Sequence, residues 1–286
     1  LTKRLDATNT AAFRDLQEKN RQLQQAYDEL KAAQAHIIEK ERLERELQVA
    51  ADIQVSILPQ ELPCAAGYSF GALMQPARIV GGDFYDIFLL DDAHVGVMIG
   101  DVADKGIPAA IFMARTHALI MAETIHGSSP AEILRRVNAH LIRLQQSDQF
   151  VTVLLGILDL ATSTFFYARA GHELPLLRTA DGVVQTLPQA TGQPVGIFDA
   201  PLLDENFIPV PPGGTLVLFS DGLTDCRSPG GEAFGHARVS SVLGAQAGRT
   251  GQQVCNALAE ALTGFQSGAP QDDDITIVAI SRLMGQ

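Results

Sequence analysis

The sequence predicts an α+β fold, a layered sandwich of antiparallel strands and flanking helices, preceded by a long N-terminal helix. Three observations carry this. Leu1 to Leu58 contain neither Gly nor Pro. The rest of the chain strings together short apolar, β-branched runs, and Asp181-Gly182 separates two of them as a tight hairpin would. Its helical patterns fall into two groups, which excludes a regularly alternating parallel sheet. The glycine signature of a dinucleotide fold is also absent.

The N-terminal segment is dense in Gln, Glu, Lys, Arg, Ala and Leu. Leu16, Leu23, Leu30 and Ile37 recur every seven residues, and Phe13, Asn20, Tyr27 and Gln34 stand three before each. That is a heptad seam with mixed a positions, able to pair with a copy of itself, and Asn20 at an a position would fix its register. Leu43, Leu47, Ala50 and Gln54 follow a 4-3-4 spacing, so the seam changes phase beyond Ile38. A solvated helix packed on its own domain is the plainer alternative. The four-heptad repeat favours a dimerising coiled-coil linker over residues 1–56, with a separate domain over 57–286. Pro59 and Pro63 close the helix.

After Pro63 the expected strands are Tyr68–Gln75, Asp83–Leu90, His94–Asp101, Phe150–Asp159, Thr164–Gly171, Leu174–Thr179, Val183–Leu187, Phe207–Val210, Thr215–Ser220 and Ile275–Ser281. The expected helices are Ile107–Thr124, Pro130–Gln145 and Gly251–Thr263. Charge supports the boundary. Residues 1–56 carry 9 basic and 10 acidic side chains, leaving 12 basic and 23 acidic for 57–286.

A net charge of −12 excludes a phosphate-backbone binder, because that affinity comes from Lys and Arg. Cys64, Cys226 and Cys255 match no zinc or CxxC spacing, so a reducing cytoplasmic setting is expected. No apolar run approaches the roughly 18 residues of a membrane span. The chain opens on Leu1 rather than Met, as a piece with an upstream sensor or membrane segment would.

Four aspartate segments carry the chemistry: Gly81-Gly82-Asp83, Gly100-Asp101-Val102, Ser220-Asp221-Gly222 and Asp272-Asp273-Asp274. Each follows or opens an expected strand, so carboxylates distant in sequence can converge at strand ends. Any one alone reads best as a turn or cap residue. Four clustered like charges need a compensating cation, and an all-oxygen set suits Mg²⁺ or Mn²⁺.

The motifs Ala77-Arg-Ile-Val-Gly-Gly-Asp-Phe-Tyr-Asp86, Gly100-Asp-Val-Ala-Asp-Lys-Gly-Ile-Pro-Ala-Ala110, Ala170-Gly-His172, Phe219-Ser-Asp-Gly-Leu-Thr-Asp225, Gly231-Glu-Ala-Phe-Gly235 and Asp273-Asp-Ile-Thr276 occur in this order. With Gln54-Val-Ser-Ile-Leu-Pro59 at the helix end, they resemble the SpoIIE/RsbU-type branch of the metal-dependent PPM protein phosphatases. The resemblance spans roughly residues 47–283. It implies a four-layer αββα sandwich with two divalent cations at one end of the sheets. Carried over by position, Asp101 bridges both cations and the Val102 carbonyl ligates one of them. Asp221 and Asp273 complete the other shell, and Asp83 acts directly or through water. The three-aspartate run leaves Asp273 or Asp274 open as the ligand.

The chemistry so implied is attack on a phosphoryl group by a metal-activated water, without a covalent phospho-enzyme. Arg78 is a candidate for the substrate phosphate, with a surface role as its alternative. His172 reads as structural or as a proton-transfer aid. Glu173 stands where many members of the branch place Asn. The resemblance further implies a phosphorylated STAS-type substrate in bacterial partner switching, and regulation from the N-terminal helix through the helix after Asp101. A catalytically weak interaction module and a hydrolase of other phosphoesters are the competing classes.

Overall fold

A computed structural model describes residues 2–144, 149–187 and 192–284, with side chains at residue 14 and from residue 16 onward. The expected helix end at Gln145 and the strand end at Leu187 therefore meet the limits of the described segments, and Gln145 lies outside them. So does the Phe13 side chain. The chain divides into two compact units, Leu1–Val49 and Ala50–Gln286.

Helix α1 (Thr2–Ile57) stops two residues before Pro59, which cannot donate the next helical hydrogen bond. In the first unit Leu16, Leu23, Tyr27, Leu30 and Ile37 are all exposed. Pairs such as Arg21–Glu18 and Lys40–Glu44 line the helix surface at helical spacing. The last turns of α1 belong to the second unit, where Ala51, Gln54 and Leu58 are buried.

The second unit holds two five-stranded sheets. One has the order β1 (Tyr68–Gln75), β10 (Ile275–Arg282), β9 (Thr215–Phe219), β6 (Leu176–Arg178), β7 (Val184–Thr186). The other runs β2 (Phe84–Leu89), β3 (His94–Val102), β4 (Val151–Asp159), β5 (Thr164–Ala170), β8 (Asp204–Pro209). Neighbouring strands are antiparallel throughout. Helices α2 (Ile107–Thr124) and α3 (Pro130–Leu144) follow β3, and α4 (Asp221–Asp225), α5 (Gly235–Gly244) and α6 (Gly251–Gln266) fall between β9 and β10.

Strand period 2 sorts the core into layers. Val95, Val97 and Ile99 of β3 meet Leu216, Leu218, Val278 and Ile280 between the sheets. Met98 and Val102, with the opposite parity, pack under Phe112, Met113, Ile120, Leu134 and Val137 of α2 and α3. On the far side Val217, Phe219, Ile277 and Ala279 pack under Val239, Leu243, Val254 and Leu258 of α5 and α6. The order is helices, sheet, sheet, helices, the α+β sandwich expected. Helix α2 buries Ala109, Phe112, Met113, Thr116, His117 and Ile120, the i, i+3, i+4 stripe of one face.

Several elements depart from the sequence expectation, among them α6, which runs past Thr263 to Gln266, and β6, which is shorter than expected. Strand β8 begins at Asp204 instead of Phe207, because it is an edge strand with inverted alternation. Phe207 faces solvent, while Asp204 is buried and pairs at 3.2 Å with buried Arg169. The short helices α4 and α5 were not expected; α5 starts and ends on glycine and buries only Val239 and Leu243. Among the described residues no helix is long and apolar enough to cross a membrane.

Candidate metal centre

Register and parity assemble the site. Phe84 lies opposite Gly100, so one step further along Asp83 and Asp101 stand beside each other. Asp101 continues the inward face of Val95, Val97 and Ile99, and Thr152 flanks it on β4. In the other sheet, Ser220 and Thr276 continue the inward parity of Leu218 and Val278. Asp221 follows Ser220 as the first residue of α4, and Asp273 and Asp274 lead into β10. Both sheets therefore deliver their aspartates to the same end.

Asp83 is buried, and its Oδ2 accepts hydrogen bonds from Ser220 Oγ at 2.7 Å and Thr276 Oγ1 at 2.6 Å. Burial, then the Asp101 charge, pushes its carboxyl well above the ordinary value of 3.8, and the two hydroxyls pull the other way. Burial raises Asp101 to about 7, with Asp221 and Asp273 as the next causes, while a hydrogen bond with Asp83 opposes the rise. Asp221 is raised as well, by burial and then by Asp273, Asp225 and Glu173.

The adjacent Asp273 and Asp274 have different surroundings. Asp274 is buried, and its two oxygens accept the main-chain N–H groups of Ala77 at 2.7 Å and Gly82 at 2.8 Å, with that of Asp83 at 3.5 Å. It clamps the loop that carries Asp83. Gly81 is required there, because a Cβ would come within 2.2 Å of Asp274 Oδ2. Gly222 is required for a similar reason, since its Cβ would meet the Asp274 carbonyl at 2.0 Å. Asp273 is partly exposed and pairs with Lys105 at 2.9 Å. The Val102 carbonyl borders the same loop, 2.9 Å from where a Gly82 Cβ would stand.

Arg78 is exposed and has no hydrogen bond or ion pair with another described residue. His172 is buried; its Nδ1 lies 3.0 Å from Thr152 Oγ1, which in turn donates to the Asp101 carbonyl at 3.4 Å. Burial pushes His172 down to about 3, so it is neutral and supports the β4 side of the site. Glu173 lies 3.6 Å from His236 and contributes to the field at Asp221.

Several residues went unnoticed in the sequence. Ser220 and Thr276 sit inside recognised segments, and strand parity alone would have turned both inward. Gln54 brackets Gly81, donating to its carbonyl at 2.8 Å and accepting its N–H at 3.1 Å. The sequence showed Gln54 only as a member of the 4-3-4 spacing and of the helix-end motif, and neither pattern reveals its contact with Gly81 27 residues on.

Among the described residues no three His, Cys, Asp or Glu side chains form a ready-made ligand cage. The fit of a cation rests on the electrostatics and chemistry of the donors instead. Asp83, Asp101 and Asp221 are each held above their ordinary ionisation by burial and by one another or Asp273. A hard divalent cation relieves that repulsion, and carboxylate and carbonyl oxygens are its preferred donors. Asp83, Asp101, Asp221, Asp273 and the Val102 carbonyl are the oxygen donors that the resemblance implies for such a cation.

Comparison with known proteins places this geometry in context. The family described as Stage II sporulation protein E (SpoIIE) matches residues 91–283. Protein IcfG of Synechocystis is 32% identical over 265 residues, covering 83% of this chain and 41% of that protein. Phosphoserine phosphatase RsbU of Bacillus subtilis is 29% identical over 196 residues, 67% of this chain and 57% of that one. The chain thus spans about half the length of the curated relatives it matches. Among solved structures, the SiaA-PP2C domain of Pseudomonas aeruginosa superposes with a TM-score of 0.75 at 26% identity, covering 85% of this chain and 98% of that domain.

Proposed function

The chain belongs to the SpoIIE family, and from that premise we propose that it is a metal-dependent phosphoserine/phosphothreonine protein phosphatase. The observation that carries the reading is the meeting of Asp83, Asp101, Asp221 and Asp273 at one end of the two sheets, with ionisation of the first three opposed by burial and mutual charge. In this reading Asp83, Asp101, Asp221, Asp273 and the Val102 carbonyl would hold two divalent cations, Mn²⁺ or Mg²⁺. Bound cations supply a water acidic enough to attack near neutral pH and positive charge to offset the phosphoryl oxygens.

The protein's own groups do the positioning. Ser220 and Thr276 fix one oxygen of Asp83 and favour its ionised form. Asp274 holds the loop through main-chain N–H groups, which supports Asp273, the more exposed neighbour, as the ligand. Arg78, exposed and unpaired, is available to a substrate phosphate. His172 is neutral and buried, which favours a supporting role over proton transfer.

The substrate proposed is a phosphorylated STAS-type protein in a partner-switching pathway, since RsbU, a relative, is a phosphoserine phosphatase. The exposed heptad residues Leu16, Leu23, Leu30 and Ile37 support a homodimer through residues 1–56, regulation through that helix, and connection to an upstream sensor. A cytoplasmic location accords with the free cysteines.

The test compares phosphate release by the full chain from a phosphoserine protein, a nucleotide and DNA, with Mn²⁺ and with a chelator. Mn²⁺-dependent release from the phosphoprotein, lost in Asp101→Asn, is expected. Equal rates for wild type and Asp101→Asn overturn the reading. Leu23→Glu with Leu30→Glu converts dimer to monomer in sedimentation if the seam pairs.

A further inference from the structure

Lys105 sits in the loop between β3 and α2 and reaches the approach to β10. Its Nζ lies 2.9 Å from Asp273 Oδ1 and donates to the Asp272 carbonyl at 2.6 Å. The Asp274 main-chain N–H donates to the same Oδ1 at 3.0 Å. Two donors therefore converge on one oxygen of Asp273, and no described residue hydrogen-bonds Oδ2.

The loop that presents Lys105 is itself fixed. Asp104 has φ 118° and Gly106 φ 83°, both in the region that favours glycine. The Asp104 carboxylate accepts the Lys105 N–H at 2.8 Å, and the Ala103 N–H donates to the Phe150 carbonyl at 2.9 Å. The Lys105 backbone is thus set before its side chain reaches Asp273.

We propose that Lys105 is a positioning residue for the cation site: it pins Oδ1 of Asp273 and so leaves Oδ2 to the cation. This rests on the two-cation reading above. The pair adds little to stability, because its side chains are 39% and 42% exposed and such pairs contribute little in water. Its effect lies in orientation, since carboxylates that ligate metals lose affinity when the groups holding them are removed.

The sign of the effect separates positioning from plain electrostatics. Deleting an ammonium group beside a cation site removes repulsion and by itself tightens cation binding. Loss of positioning weakens it. Lys105→Met therefore has opposite consequences under the two accounts.

The experiment is calorimetric titration of the full chain with Mn²⁺, for wild type, Lys105→Met, Lys105→Arg, Asp273→Asn and the Lys105→Met/Asp273→Asn double variant. Lys105→Met weakens Mn²⁺ binding on the order of tenfold or more, and Lys105→Arg recovers most of it. In the Asp273→Asn background Lys105→Met has no further effect, because both act through one contact. Wild-type or tighter binding by Lys105→Met overturns the proposal, as does an undiminished loss in the double variant. A rise in KM for the phosphoprotein with unchanged Mn²⁺ affinity also overturns it and assigns Lys105 to the substrate. If the wild type binds no Mn²⁺, the cation reading fails and this inference with it. Mn²⁺ binding by wild type and by Lys105→Met alike removes only the inference.

Discussion

Consider Asp101→Asn in the presence of a chelator. The substitution keeps the shape of the side chain, removes its charge, and gives it an amide that can donate to Asp83. In the metal-free chain the Asp101 carboxyl is raised from 3.8 to about 7, which at about 1.4 kcal/mol per pH unit amounts to roughly 4 kcal/mol against the ionised form. Asp83 is raised first by its own burial and then by the Asp101 charge, so the two carboxyls share one proton equilibrium. With the cost divided equally between the two coupled carboxyls, Asn recovers about half of it, roughly 2 kcal/mol. At pH 8 the variant should therefore melt about 4–8 °C above wild type in chelator, using the slope for a domain of this size.

The pH dependence fixes the sign. Unfolded Asp101 ionises near 3.8 and folded Asp101 near 7, so between those values the folded chain holds more protons and loses stability as pH rises. The advantage of Asn is complete above pH 7 and fades towards pH 4. Saturating Mn²⁺ reverses the ranking, because a ligand that binds the folded wild type stabilises it by about 3 kcal/mol at a hundred times its Kd. Scanning calorimetry over pH 4–8, with chelator and with Mn²⁺, reads all of this. A variant no more stable than wild type at pH 8 in chelator refutes the reasoning, and so does a gain that persists at pH 4.

Three further outcomes follow from the contacts around the site. Asp274→Ala strands the N–H groups of Ala77 and Gly82 and should cost about 3 kcal/mol in denaturant unfolding, with weaker Mn²⁺ binding as the Asp83 loop loosens. Ser220→Ala and Thr276→Val each remove a hydrogen bond to Asp83 Oδ2 and should cost about 1–3 kcal/mol apiece; unchanged Mn²⁺ affinity in both would contradict the role assigned to these hydroxyls. His172 is held neutral at about 3 while the unfolded residue ionises near 6.5, so folded stability is lost as pH falls below 6.5. His172→Gln should flatten that loss between pH 6.5 and 5, as measured by guanidinium unfolding, where the wild-type slope is at most about 1.4 kcal/mol per pH unit.

Much of this was legible in the sequence because the central strands are apolar runs that end on turn residues. Val95 to Gly100 is apolar throughout, as in a strand buried on both faces, and Asp101 stands at its end; its register and inward direction come from pairing with β2 and β4. Helix α2 was legible by its buried stripe and by Pro108 near its start. Only the second half of edge strand β8 was, because at Asp204 a buried ion pair replaces the apolar inward residue. Ser220 and Thr276 were visible only as neighbours of aspartates, since their importance lies in contacts 137 and 193 positions away in the chain. The same holds for Lys105, whose partner follows 168 residues later, a distance that no local pattern spans.

The contrast between Asp273 and Asp274 shows how such a site separates chemistry from scaffolding. A carboxylate with both oxygens engaged by main-chain N–H groups is a poorer cation ligand, since each oxygen already has a donor and its position is set by the loop it holds. Asp274 is in that state, and the loop it holds carries Asp83. A carboxylate with one oxygen fixed and one open is oriented and still available, as Asp273 is beside Lys105. Asp101, between Asp83 on one side and Asp221 and Asp273 on the other, has little compensation from the protein alone, and its raised ionisation records that deficit. The fold thus holds a cluster of mutually repelling carboxylates, and under the proposed two-cation reading cation binding is tied to folding energy. Folding stability and catalysis should then respond in opposite directions when charge is removed at Asp101, and in the same direction when a hydrogen bond is removed at Ser220, Thr276 or Asp274.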